Sequence, residues 1–549
     1  MKQTPYLIFT LIVSLFVAAQ LHAIPHLQNK GDTVQLIVNE QPFLARGGEL
    51  SNSTASNLDT LRPYWAKLKA MNLNTLVAPV YWDLIEPEEG NFDFSLVDGL
   101  IREARANDMK LVLLWFGSWK NSMSCYAPPW VKVNIDRFPR SETRDGEKLE
   151  ILSPFDSTNR KTDAMAFATL MKYVRKIDER EQTVIMVQPE NEIGMIIHAR
   201  DYNARATELY HSEVPADLIK YLKANRETLT SELTQAWSIS GFAEEGTWPE
   251  VFGDSPYAEE IFMAYWFANY TQEVAAAGKA EYPLPMYANA ALIRPGYMPG
   301  QYVSAGPLPH LLDIWRAAAP DLDFIAPDIY FPDFTNWTER YTRNGNPLFI
   351  PEALRNNAAS VNALYAFAEH DAIGFSPFGI ESIDRQPGEL LKGSYNLIAQ
   401  LEPLILEKQG TGDMRGFLQV SERQIAPTQV RLGGYEMHIA YEYALPPSLA
   451  DGVINESGDI SPAGRLPAGG LVIELADNEF LFAGMGITIT FDSLKAGKKA
   501  GILQAEKGRF VDGVWKNELW LSGDQTHQGR HIRLVPGAFS IQRVKLYDY

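Results

Sequence analysis

Two short segments of this 549-residue chain carry residue types that could do chemistry. The first reads Met186-Val187-Gln188-Pro189-Glu190-Asn191-Glu192-Ile193-Gly194, the second Phe349-Ile350-Pro351-Glu352-Ala353-Leu354-Arg355-Asn356. In each, an apolar run ends at a glutamate. Two carboxyl groups flanking an anomeric carbon cleave a glycosidic bond: one protonates the leaving oxygen, the other attacks or stabilises positive charge. A separation of about 5–5.5 Å gives the covalent, retaining route, and a wider gap admits water and inverts. Glu192 is then the acid/base and Glu352 the nucleophile. Apolar neighbours would keep Glu192 protonated, and a tyrosine hydroxyl would keep Glu352 ionised; Tyr330 is the candidate donor. One acidic residue after an apolar run is ordinarily a helix cap or a solvated charge. The second one in the same setting turns the pair into a hypothesis.

Other residues could read the substrate. Asn191, beside the acid, could bond a sugar 2-hydroxyl. Trp115, Trp119, Trp130 and Trp337 offer aromatic faces for pyranose rings, with core packing as the alternative for each. Trp119-Lys120-Asn121 is the best cluster, because a loop has little packing reason to carry all three. Glu49 and Asp83 could bond hydroxyls, or serve as caps or ion-pair partners. Glu190 is expected to pair with a nearby Arg or Lys rather than touch substrate. The nine histidines are scattered without ligand spacing, so neither a metal nor a cofactor is expected.

The elements that must position these residues can be read as strands. Eight apolar segments alternate with helical stretches: Phe43–Glu49, Asn74–Val80, Lys110–Phe116, Thr183–Glu190, Leu284–Ala290, Asp323–Tyr330, Pro347–Glu352 and Ala372–Phe378. Near-continuous apolar runs mark strands buried on both faces of a parallel sheet. Eight βα units in order imply a closed (β/α)₈ barrel over residues 24–404, with its site at the carboxyl ends of the strands. The long gap from about 195 to 283 reads as a helical insertion over the barrel top. Beyond 405, alternating strands at Gln429–Glu442, Gly470–Ala476, Phe480–Phe491 and Gly529–Val535 imply an antiparallel β-sandwich over 405–549.

The net charge of −19 argues against nucleic acid as a partner. Lys2, the apolar run Tyr6–Ala19 and then Gln20-Leu21-His22-Ala23 have the shape of an export signal cut after Ala23, or of a retained N-terminal anchor. The run is shorter than the roughly 20 residues that span a bilayer. A periplasmic or extracellular location follows, and Cys125, the only cysteine, rules out an internal disulfide.

The run Tyr81-Trp82-Asp83-Leu84-Ile85-Glu86-Pro87-Glu88-Glu89-Gly90-Asn91-Phe92-Asp93-Phe94, with the Asn191-Glu192 pair and Glu352, resembles the four/seven superfamily of barrel glycosidases. More narrowly it resembles glycoside hydrolase family 35, the β-galactosidases, in a bacterial branch with a C-terminal β domain. The resemblance implies a retaining β-galactosidase, supports Asn191 and Tyr330 as sugar-site residues and adds Tyr81. The family pattern has Asn at Asp83, His at Ile85, an aliphatic residue at Pro189 and Tyr at Ile193. Its third strand ends in Ala-Glu, where this chain has Trp115-Phe116-Gly117-Ser118-Trp119-Lys120-Asn121. By resemblance the substrate is terminal galactose on plant-cell-wall oligosaccharides such as xyloglucan side chains. The alternatives are another β-linked sugar (glucose, glucosamine or arabinose) or a carbohydrate-binding barrel without turnover. An oligomer is possible.

Overall fold

The computed structural model describes residues 23–421, 424, 426–441 and 466–549. The expected export signal, up to residue 22, lies outside the described residues. Among those described, no helix is long and apolar enough to cross a membrane.

The eight barrel strands run Ala45–Arg46, Thr75–Tyr81, Lys110–Lys120, Val184–Asn191, Tyr287–Ala290, Phe324–Ile329, Phe349–Ala353 and Gly374–Pro377. Strands two to four pair in parallel, as do strands five to eight, and strand eight pairs with strand one. Three parallel bridges close the ring: Glu49 to Val77, Glu49 to Phe378, and Val187 to Met286. Strands two, four, six and seven are buried along their whole length, as expected of a parallel sheet wrapped by helices.

Strand one is shorter than the sequence implies. At Gly47 a Cβ would stand 2.1 Å from Ser376 Oγ, and at Gly48 it would stand 2.6 Å from Ile380 Cγ1. The two glycines let the backbone pass this close, and the chain rejoins the ladder at Glu49, between strands two and eight. That detour delivers the Glu49 carboxyl to the barrel mouth.

The gap between strands four and five is helical, as expected, with helices Ala204–Tyr210, Ala216–Ala224, Ser231–Ser238, Trp248–Phe252 and Pro256–Glu281. The last of these does not lie over the top. It packs along Ser157–Asp178 and leads into strand five, so it belongs to the outer helical ring. Gly278 makes the approach possible: a Cβ there would meet Phe167 at 2.2 Å.

A three-stranded antiparallel sheet, His26–Lys30, Thr33–Val38 and Gln41–Phe43, precedes the barrel. It docks through Gln35, which donates to the carbonyl of Leu406 in the last barrel helix, Arg385–Lys408. That helix runs past residue 404, and the β-domain begins at Met414–Leu418.

Among its described residues the C-terminal domain has two antiparallel sheets of six and four strands, with a second apolar core between them. Two segments read as single strands are each two. Thr428–Leu432 and Tyr435–Tyr441 form a hairpin across Gly433-Gly434. Glu479–Met485 lies in the larger sheet and Ile487–Ser493 in the smaller, and the chain changes sheets at Gly486, φ +71°. Only a residue tolerant of positive φ allows so tight a switch.

Candidate active site

Strands four and seven bring Glu192 and Glu352 together at the carboxyl end of the barrel. One oxygen from each, and one from Asp328 of strand six, lie within 4.8 Å of one another. That bound on the oxygen–oxygen distance lies well below the roughly 6.5–9.5 Å carboxyl separation that leaves room for a water. All three carboxyl groups are buried.

Their surroundings differ, as acid and nucleophile require. Glu192 is pushed up to about 7, first by burial and then by the neighbouring Glu352 charge; Lys120 and hydrogen bonds from Asp328 and Asn121 pull it partly back. Asn121 Nδ2 donates to Glu192 Oε2. The backbone at Glu192 is left-handed, φ +43°, a conformation that costs a non-glycine residue of order 1 kcal/mol or more. Its N–H is fixed by Asn289 Oδ1 at 2.9 Å, and Asn289 Nδ2 in turn donates to Asp328 at 2.6 Å.

Glu352 has donors on both oxygens. Tyr330 O–H donates to Oε2 at 2.7 Å and Asn191 Nδ2 to Oε1 at 3.4 Å. Lys120 Nζ stands 3.9 Å from Glu352 Oε1 and 3.8 Å from Glu192 Oε2, held by Asn191 Oδ1 at 2.8 Å. Burial alone would depress this ammonium, but Glu352, Glu192, Glu49 and Asp328 outweigh it and hold it charged. Glu49 is raised well above its ordinary value by burial and by Glu352, and neither of its oxygens has a donor among the described residues. Asp328 is raised likewise, by burial and then by Glu352. The mouth therefore holds four carboxyl groups around one ammonium, and burial favours protons on three of them.

The Tyr330 bond is part-buried, and a hydrogen bond to a charged group contributes about 1.5–3 kcal/mol. Tyr330→Phe is expected to lower kcat/KM roughly 10- to 150-fold. Steady-state kinetics beside a thermal melt would separate this from unfolding.

Several residues expected to read substrate sit elsewhere. Trp115 and Trp119 are fully buried. Trp115 Nε1 donates to Asp163 Oδ1 at 2.8 Å, and the Trp119 ring packs edge-on against Tyr270 and Phe267. Both are core: Trp115 lies within strand three, and Trp119 joins it because the strand runs four residues past its expected end. Trp130 packs on Trp82 and Phe138, and Trp337 is also buried. Tyr81 is buried, its hydroxyl donating to the carbonyl of Asn52 at 2.7 Å. Asp83 is half-buried in the turn after strand two, and burial raises its carboxyl. Among the described residues Glu190 has no Arg or Lys partner; it faces Asp163 and accepts the Trp119 N–H at 2.7 Å. Lys120, Asn121, Asn191, Tyr330 and Glu49 all gather at the pair.

Asp328 and Asn289 were missed. Asp328 lies two residues before Tyr330 on the same strand face, so an acidic residue in the apolar run Phe324–Ile329 was a readable signal.

Residues 57–258 match the family model Glyco_hydro_42, described as "Beta-galactosidase", and residues 391–533 match a domain of unknown function, DUF5597. The matching β-galactosidase model is thus that of family 42, not the family 35 that the motifs resemble. A curated relative, the beta-galactosidase of Xanthomonas manihotis, is 39% identical over 163 residues, 27% of this chain and 24% of that protein. The chain therefore spans about a quarter of the length of that relative. Among solved structures, the beta-galactosidase of Rahnella sp. R3 shares 17% identity, with 66% of this chain and 57% of that one covered and a TM-score of 0.45. That of Bacillus circulans sp. alkalophilus shares 15%, with the same coverage and a TM-score of 0.44. The fold is a (β/α)₈ barrel with a C-terminal β domain, and residues 57–258 are similar to β-galactosidases. The Glyco_hydro_42 match includes Glu192 and stops short of Glu352, so the second carboxylate rests on geometry.

Proposed function

We infer that this chain is a retaining, exo-acting β-galactosidase. The observation that carries the reading is the close pair Glu192 and Glu352, one raised to about 7 by burial and the other ringed by donors. Glu352 attacks the anomeric carbon while Glu192 gives its proton to the leaving oxygen; Glu192 then takes a proton from water as that water opens the glycosyl-enzyme. Asn191 and Lys120 lie where a sugar hydroxyl would meet them, and the buried pair favours a terminal sugar over a chain interior. The similarity of residues 57–258 to β-galactosidases supports galactose as the sugar. Xyloglucan side chains are the proposed source, and export to the periplasm or cell exterior is proposed from the N-terminal pattern.

Galactose release from xyloglucan oligosaccharides, compared with chromogenic β-galactoside, β-glucoside, β-glucosaminide and arabinoside, tests the reading. Release of galactose, with the β-anomer as first product, is expected. Turnover of another glycoside alone would keep the mechanism and discard the sugar. Binding without turnover of any of them would discard the enzyme.

A further inference from the structure

We propose that Glu190 and Asp163 form a proton-sharing carboxyl pair that positions Lys120 and Asn121 against the acid. The proposal rests on the retaining glycosidase reading and assigns these two residues a part in it.

The pair sits behind strand three, where the strand leaves its regular register. Pairing with strand four keeps step from Val112–Met186 to Trp115–Pro189 and resumes at Lys120–Asn191, with the register shifted across the intervening residues. The displaced backbone hangs on the two carboxyl groups. Asp163 Oδ2 accepts the Ser118 N–H at 3.2 Å, and Glu190 Oε2 accepts the next one, from Trp119, at 2.7 Å. Asp163 Oδ1 holds Trp115 Nε1, and Tyr270 O–H lies 3.1 Å from Asp163 Oδ2 and 2.8 Å from Ser118 Oγ. Gly117 gives the space: a Cβ would fall 2.3 Å from Trp115 Nε1.

Asp163 comes from the helix Ser157–Asp178 and Tyr270 from the helix Pro256–Glu281. The ledge thus ties strand three to the outer ring, and the residues it presents next are Lys120 and Asn121. Glu190 itself is left-handed, φ +64°, and Gln188 Nε2 donates to its carbonyl. Among the described residues the side chain has no cationic partner and its Oε1 no hydrogen-bond donor, and the carboxyl it faces is Asp163. Two buried carboxyl groups in contact are stable only with a proton between them. Asp163 already accepts the Trp115 and Ser118 N–H groups, so the proton belongs on Glu190, which donates to Asp163. Burial and Asp163 raise Glu190 in the same sense.

These are positioning residues, because neither reaches the mouth. Their effect passes through Lys120, whose ammonium lowers Glu192; the other titratable groups facing Glu192 are Glu352, Asp328 and Glu49. Displacing Lys120 leaves Glu192 protonated to higher pH.

The test is the pH profile of kcat/KM for wild type, E190Q, E190A, D163N and K120M on a substrate that wild type hydrolyses. Gln can donate to Asp163 and accept from Trp119, so E190Q is expected to stay within about threefold of wild type with its profile unmoved. E190A and D163N are expected to lose roughly 10²-fold, the scale of a 1 Å misplacement, and their alkaline limb should move up, as in K120M. The proposal is overturned if E190Q falls as far as E190A, or if E190A and D163N lose rate with the limb unmoved. E190Q keeps the test informative should the other variants fold poorly. A wild type inactive on every glycoside would sink the enzymatic reading first, and separately.

Discussion

Glu352→Ala is expected to lose roughly 10⁴- to 10⁶-fold in kcat, the scale seen when a nucleophile is removed from a covalent mechanism. The space it leaves is small, buried and lined by donors: Tyr330 O–H and Asn191 Nδ2 would face it, with Lys120 Nζ nearby. A small anion such as azide or formate in the buffer should enter that space and restore part of the rate. It would attack from the face that Glu352 used, so the product captured with azide should have the α configuration. Wild type should release the β-anomer, because two inversions restore the starting configuration. Proton NMR of the first turnovers reads both. An α-anomer from wild type would mean that water attacks directly, which the 4.8 Å cluster argues against. A Glu352→Ala variant with near-normal turnover would remove Glu352 from the chemistry.

What the sequence made legible follows from where each residue acts. All eight barrel strands were readable, because strands buried on both faces need apolar residues at nearly every position. Strand one was overextended, since Gly47 and Gly48 leave the ladder for reasons that only the neighbours Ser376 and Ile380 reveal. That Glu192 and Glu352 meet was readable because both stand at the ends of apolar runs that become barrel strands. Asp163 and Tyr270 were not: each is a single polar residue within a long helix, and nothing local distinguishes it from a solvated face. The same ledge explains the misreading of Trp115 and Trp119. Tryptophans near a strand end look like a sugar platform unless the strand continues, and here it continues through Trp119, with Asp163 and Glu190 accepting its backbone N–H groups. In the sandwich, Ala500–Val511 and Val514–Trp520 escaped notice because many of their residues face solvent, which leaves little apolar alternation to read.

Glu192→Ala should lower kcat/KM on natural galactosides by roughly 10²- to 10⁴-fold, the usual worth of a general acid. The loss should depend on the leaving group. An aryl galactoside with an acidic phenol departs without a proton, so the first step should be nearly spared and the glycosyl-enzyme should accumulate, for want of a base to activate water. A burst of phenol equal to the enzyme concentration is the expected signature. The pH profile gives the second. Burial and the Glu352 charge raise Glu192 to about 7, so the acid form predominates below that pH. Wild-type kcat/KM on an unactivated galactoside should therefore fall as pH rises through about 7, tenfold per further unit. In Glu192→Ala that limb should be absent. A wild-type limb near the ordinary carboxylate range would mean that burial does not hold the proton on Glu192. A limb that persists in the alanine variant would mean that another group is the acid. Asp328, buried within the same 4.8 Å cluster and also raised, is the group to replace next.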